Sequence, residues 1–243
     1  MSGHQPCYLP WLGYFHKLYL CDTFVYMDTV QYLENDWNNR NQIRTPNGAQ
    51  WLTVPIDRDQ STGKRLDQIV IYGYERPDLR KFWQNIHWRS ICANYRKAPY
   101  FSDYAPELEE IYLGTSWRLL VDLCWHQFTL FVRWLGMTDK KVVRMSEVQF
   151  EGQKDHLILD HCLKLGADKV VFGTHGRDYV SVDMFRKKGI DVYFQEYKHP
   201  CYRQRFDGFI PYMSILDLIF NHGPESHNIV ISGNQTATSL SSG

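Results

Sequence analysis

"KKVVRMSEVQFEGQKDHLILDHCLKLGADKVVFGTHGRDYVSVDMFRKKGIDVYFQEY", residues 140–197, decides the fold class because its texture switches every few residues. "KKVVRM" (140–145), "DKVVFG" (168–173) and "IDVYFQEY" (190–197) are short β-branched or aromatic runs beside turn formers, which predicts strands. Between them, "QKDHLILDHCLKLG" (153–166) and "DYVSVDMFRKKG" (178–189) carry apolar residues at helical spacing and stop at Gly166 and Gly189. Strand and helix in turn, joined by short loops, is the pattern of βαβ units. The expectation is an α/β, Rossmann-like fold with a mostly parallel sheet and a helical insertion or sub-domain.

Working outward, residues 77–136 read as that helical block. "RPDLRKFWQNIHWRSICANYRKAP" spaces Leu79, Phe82, Trp83, Ile86, Ile91 and Tyr95 as a helix does. "SDYAPELEEIYLG" and "TSWRLLVDLCWHQFTLFVRWLG" each open at Ser or Thr and end at Gly. On the amino-terminal side, "WLGYFHKLYLCD" predicts a helix, "TFVYMDTVQY", "AQWLTVPI" and "LDQIVIYG" predict strands, and "LENDWNNRNQIRTPNG" reads as polar and turn-rich. Beyond the α/β repeat, "SILDLIFNHG" predicts a helix with a Ser214/Asp217 capping box and a Gly223 stop. The expected organisation is one α/β domain, 1–231, followed by a flexible tail, 232–243.

Lys plus Arg and Asp plus Glu stand at 27 each, so no overall field draws duplex DNA or an anionic membrane. No run of about 18 apolar residues is present, so no membrane span is expected. The opening Met-Ser-Gly-His-Gln-Pro lacks the features of a secretory signal, which points to the cytoplasm. The six cysteines lack CxxC spacing and read as reduced thiols. His156 and His161 lie about 140° apart around a helix, so they form no metal pair, and no metal is expected.

Open α/β sheets bind ligands outside the carboxyl ends of their strands. The polar stretches that follow predicted strands are therefore the candidates, and the loops bearing His4, Asp28, Arg40, His175 and His199 are expected to line one cleft. His4 is either a base or a helix-capping residue, and Asp28 either a catalytic carboxylate or a turn former. Arg40, flanked by Asn39 and Asn41, offers a fork of donors for a carboxylate or phosphate, or is part of a plain loop. The "GTHG" turn, with Gly173 and His175, resembles a loop whose amides hold an anion. His199 is a second candidate base, or a turn residue before Pro200. The opening "HQPCYLPWLGYF" (4–15) would form one wall, with aromatic faces for stacking. Cys7 has no cationic neighbour in "QPCYLP" to favour a thiolate, so a covalent role for it is not expected.

Several segments together resemble the WbqC-like protein family: "HQPCYLPWLGYFHKL", "DTFVYMDTVQY" with "WNNRNQI", "LTVPI", "LGADKVVFG", "GIDVYFQEYKHPCYRQ" and "FIPYMSILDLIFNHG". They run in family order over nearly the whole chain. The resemblance implies functional positions at His4, Gln5, Tyr8, Pro10, Trp11, Gly13, Tyr14, Asp28, Gln31, Asn38, Arg40, Asn41, His199, Tyr202, Ser214, Asp217 and Asn221. It does not demand cysteine at position 7. It also implies a glycine or amino-acid transferase role of the kind suggested for bacterial O-antigen clusters. The expected function is an acyl or aminoacyl transfer that forms an amide on an amino sugar or related small molecule, with an acyl-carrier or aminoacyl-tRNA donor. Its catalytic groups would be His4, His199 and Asp28. A nucleotide-dependent ligase or nucleotidyl transferase, and a non-catalytic binding protein, are the alternatives. The cofactor is unknown from the sequence, and use of a nucleotide stays open.

Overall fold

The computed structural model describes residues 1–34, 36–61, 63–76, 79 and 81–233. The chain enters the sheet at once, with β1 at Ser2–His4, then α1 at Leu12–Tyr19 and β2 at Thr23–Tyr26. A hairpin follows, β3 (Arg40–Thr45) and β4 (Gly48–Thr53), and then the short helix α2 (Arg58–Ser61). Helices α3 (Phe82–Tyr95), α4 (Phe101–Glu109) and α5 (Leu120–Trp134) come next, α4 continuing into a wider turn at Glu110–Gly114. The α/β repeat supplies β5 (Lys141–Arg144), α6 (Lys154–Leu165), β6 (Lys169–Phe172), α7 (Val182–Arg186) and β7 (Asp191–Phe194). Helices α8 (Ile215–His222) and α9 (Ser226–Ser232) close the described chain. From residue 234 the expected tail lies outside the described residues.

β5, β2, β1, β6 and β7 lie side by side in that order and pair in parallel. Counted by appearance in the chain, these five strands are ordered 3-2-1-4-5. This is the arrangement of a Rossmann-like sheet, with the direction of winding reversing between β1 and β6. The α/β expectation is met. Strand alternation divides the core between two faces. Phe24 and Tyr26 of β2 join the cluster with α1, α5 and α8. Val25, between them, joins Leu159 and Cys162 of α6 and Phe185 of α7.

The predicted strands at 140–145, 168–173 and 190–197 are present, each shortened to four residues. The helix expected over 178–189 is shortened to α7, with a tight turn at Thr174–Asp178 ahead of it. "LDQIVIYG" is not a strand. It is a tight turn at Leu66–Gln68, followed by isolated bridges from Val70 to Leu119 and from Ile71 to Ile56. The stretch read as turn-rich around Arg40 holds β3, because "TPNG" reverses the chain through Gly48, whose φ of +117° suits glycine. The Ser214/Asp217 capping box does not form, since the Asp217 carboxylate is occupied elsewhere. Among the described residues, no helix is long and apolar enough to cross a membrane.

Candidate functional site

A cleft of about 760 Å³ opens where the winding reverses. The end of β1 supplies Gly3, His4 and Gln5, and the end of β6 supplies Phe172 through Gly176. Gln31 and Leu33 close one side, and Lys154, Leu157 and Ile158 at the start of α6 close another. The loops leaving two neighbouring strands in opposite directions must separate there, so the sheet itself creates the opening.

His4 is the central polar group. Its Nδ1 lies 2.9 Å from the carbonyl oxygen of Gln5, which can only accept, so Nδ1 carries the proton and Nε2 the lone pair. Burial, reinforced by the Lys17 ammonium, lowers the imidazole pKa to about 4, which keeps the ring neutral at physiological pH. The Tyr14 ring backs it at 4.6 Å. Gln5 donates to Asp36 at 3.2 Å. Gln31, Gly173 and His175 also line the cleft, so five of the expected site residues, His4 and Gln5 included, meet there. Of the turn after β6, Gly176 donates back to Gly173 at 2.8 Å and Thr174 donates to the Gln195 carbonyl at 2.9 Å.

The other expected residues lie elsewhere, for identifiable reasons. Asp28 is fully buried and is absent from the cleft lining. It accepts from Arg144 Nε at 2.9 Å, from the Ser146 amide at 2.8 Å and from the Ser146 hydroxyl at 2.7 Å. Arg40 heads β3 instead of following a strand, stacks over Trp51, and borders a separate cleft of about 290 Å³ with Asn39 and Arg58. The expected fork of donors does not form, because the asparagines turn inward. Asn38, Asn39 and Asn41 donate to the carbonyls of Pro6, Val54 and Leu9 at 2.8, 2.9 and 2.6 Å. Two of these bonds clamp the opening loop, in which Leu9 holds a φ of +45° between two prolines.

His199 does not line the cleft with His4. Its Nδ1–H faces the Pro200 carbonyl at 2.9 Å, and its Nε2 accepts from the Tyr212 amide at 3.2 Å. With its lone pair engaged, it is not placed to act as the base. Trp11 stacks on it, Tyr202 lies beside it, and burial lowers its pKa. The Trp11 ring also sits where a side chain at Gly13 would be, 2.1 Å from an ideal Cβ. Tyr8 is buried in a hydrogen-bonded group with His87 and Tyr112, so it presents no face to a ligand. Asp217 is likewise buried and accepts from Tyr95 and Tyr202 at 3.0 Å and from Gln204 at 2.8 Å. Ser214 heads α8 with its hydroxyl buried and unpartnered, and Asn221 donates to the Asp217 carbonyl at 2.6 Å. These residues hold the scaffold around the opening loop and α8.

Lys17 is a lining residue that the sequence reading missed. Its position in the apolar run "YFHKLYL", where a surface helix would put lysine outward, was the available signal. Cys7 lies 4.0 Å from His4 Nδ1, yet that nitrogen bears a proton and burial pushes the thiol well up, so no thiolate forms. Iodoacetamide treatment of the native protein should alkylate the exposed Cys201 and spare the buried Cys7. Cys7→Ser should keep most activity. Peptide mass spectrometry and a rate assay check both, and rapid alkylation at Cys7 would reverse this reading.

Among the described residues, no group of three or more His, Cys, Asp or Glu is arranged to hold a metal ion. A family model described as the WbqC-like protein family matches residues 5–229. The chain belongs to the WbqC-like family. This WbqC-like protein is also similar to "Uncharacterized protein Rv1507c" of Mycobacterium tuberculosis (strain ATCC 25618 / H37Rv). The two are 31% identical over 223 residues, which cover 91% of this chain and 93% of the relative. No solved structure matches the chain significantly. The family match begins just after β1 and covers β6 and the cleft lining from Gln5 onward.

Proposed function

We propose that this WbqC-like protein is an acyl- or aminoacyl-transferring enzyme whose chemistry takes place in the cleft between β1 and β6. The observation that carries this reading is His4, a neutral imidazole with its lone pair on Nε2, set at the position where α/β sheets place their ligands. An acceptor amine entering the cleft gives its proton to Nε2 as its nitrogen bonds to the acyl carbon of the donor. The tetrahedral adduct then collapses to the amide, the bond to the donor oxygen or sulfur breaks, and the imidazolium returns its proton to that leaving atom. The acceptor is an amino sugar or a related small amine. The donor is an acyl carrier or an aminoacyl-tRNA.

The location favours a second reading, since the same switch point in Rossmann-like sheets is where nucleotides bind. In that case the cleft activates a carboxylate with a nucleoside triphosphate before transfer. Incubating the purified chain with an amino sugar and either a glycyl-tRNA or ATP plus glycine separates the two by product mass. Amide formation from the glycyl-tRNA alone supports the first reading. Amide formed only with ATP supports the second, and neither product from any donor class counts against both.

A further inference from the structure

Lys17 extends from α1 and lines the cleft, and its Nζ donates to the Gly3 carbonyl at 2.8 Å. It is 7% exposed. An ammonium has three donors, and Gly3 takes one of them. The ion pairs formed among the described residues do not include Lys17. A cation removed from water without a counter-charge is strongly disfavoured. The groups that face it do not supply one. His4 comes from β1, Cys7 from the loop after it and Cys21 from the turn after α1, and each is neutral at pH 7. Further out, the cleft is lined by Lys154 and His175, and its described lining holds no Asp or Glu.

We propose that Lys17 is the anion-holding group of this cleft, and that the molecule bound there carries a carboxylate or phosphate oxyanion that docks against Nζ. The proposal names the substrate class of the site read above as catalytic, and it rests on that reading. Nζ supplies the missing pairing as a point charge, and the oxyanion supplies the acceptors that a nearly buried ammonium lacks. The walls from Leu157, Ile158 and Phe172 then cover the apolar remainder of the ligand. His4 lies in the same lining, so the anion places the reacting end of the molecule beside the base.

Burial lowers the Lys17 pKa to about 8. An anion stabilises the charged form, so binding is strong below about 8 and weakens as pH rises and the amine loses its proton. His4 is neutral throughout that interval and adds no pH dependence to it.

Calorimetry on the full chain tests this with inorganic pyrophosphate as the phosphate probe and N-acetylglycine as the carboxylate probe. At least one is expected to bind near pH 7 and to bind several-fold to about tenfold more weakly near pH 9. Lys17→Met should weaken that probe by at least about tenfold, and Lys17→Arg should restore part of the loss. The probe that binds identifies the source of the oxyanion. Failure of both probes to bind at millimolar concentration would overturn the proposal, as would Lys17→Met binding like wild type. If Lys17→Met does not fold, Lys17→Gln replaces it, and wild-type affinity in that variant overturns the proposal equally. These measurements need no turnover, so their failure is distinct from failure of the transfer reaction itself.

Discussion

His4→Gln is expected to lower kcat/KM by roughly 10²–10⁴-fold, the range for loss of a general base. The amide of Gln can still donate to the Gln5 carbonyl, so the end of β1 keeps its local bond, but it has no basic lone pair for the amine proton. The melting temperature should therefore stay close to that of the wild type. The pH profile supplies a second, independent readout. With His4 near 4, the wild-type kcat/KM should rise through about that pH as the ring deprotonates. If Lys17 holds the substrate, it should fall again above about 8 as the ammonium is lost. His4→Gln should lack the acid limb. The depressed His4 pKa also carries a stability consequence: its contribution is complete above the ordinary histidine value of about 6.5 and is lost as pH falls through about 4. A His4→Gln enzyme with more than half the wild-type rate would remove His4 as the base.

Asp28→Ala is expected to destabilise the protein by about 3 kcal/mol or more, within the 3–5 kcal/mol range typical of breaking a buried ion pair from one side. Three donors converge on this fully buried carboxylate, and its removal strands the Ser146 amide as well as Arg144. Arg144 keeps some exposure and the face of Trp125, which places the loss toward the lower end of the range. Urea unfolding measures it. The same variant separates a structural from a catalytic carboxylate. A structural Asp28 shifts the unfolding midpoint, and the fraction that remains folded stays active. A catalytic Asp28 would abolish turnover in Asp28→Asn with little change in the midpoint. A loss below about 1 kcal/mol in Asp28→Ala would show that the ion pair contributes less than its geometry implies.

The residues that made the fold legible are those whose local preference and tertiary role agree. Val142, Val143, Val170 and Val171 are β-branched and pair in the sheet, while Gly166 ends α6 in the left-handed conformation it favours. Where tertiary contacts override local preference, the sequence misled. Arg40–Thr45 is polar and still forms a strand, because its partner β4 and the inward Asn41 bond fix it. Val70 and Ile71 are β-branched, yet their bridges go to Leu119 and Ile56, and no continuous ladder forms. Position after a strand brings His4 and Gly173–His175 together at the cleft. It does not bring Asp28 and His199 to that cleft, and the donors that occupy their side chains lie far away in sequence or in the backbone. Lys17 was hidden for a related reason, since a buried lysine in an apolar helix cannot be told from a solvated one without knowing what the helix covers.

The placement of β1 at the middle of the sheet bears on how the protein is made. Ser2 pairs with Phe24 on one side and with Val171 on the other, and its hydroxyl donates to the Val171 carbonyl at 2.8 Å. A ribosome delivers β1 well before β6, with residues 5–168 made in between, so β1 waits through that interval with one edge uncovered. Closing so long a loop costs little more entropy than closing a moderate one, but it sets the order of events. The nascent chain can assemble β1, α1 and β2 early, and it cannot complete the cleft until β6 emerges. A translational pause placed before residue 169 would leave the backbone N–H and C=O groups on one edge of β1 unpaired, a condition that favours association with chaperones or with other nascent chains.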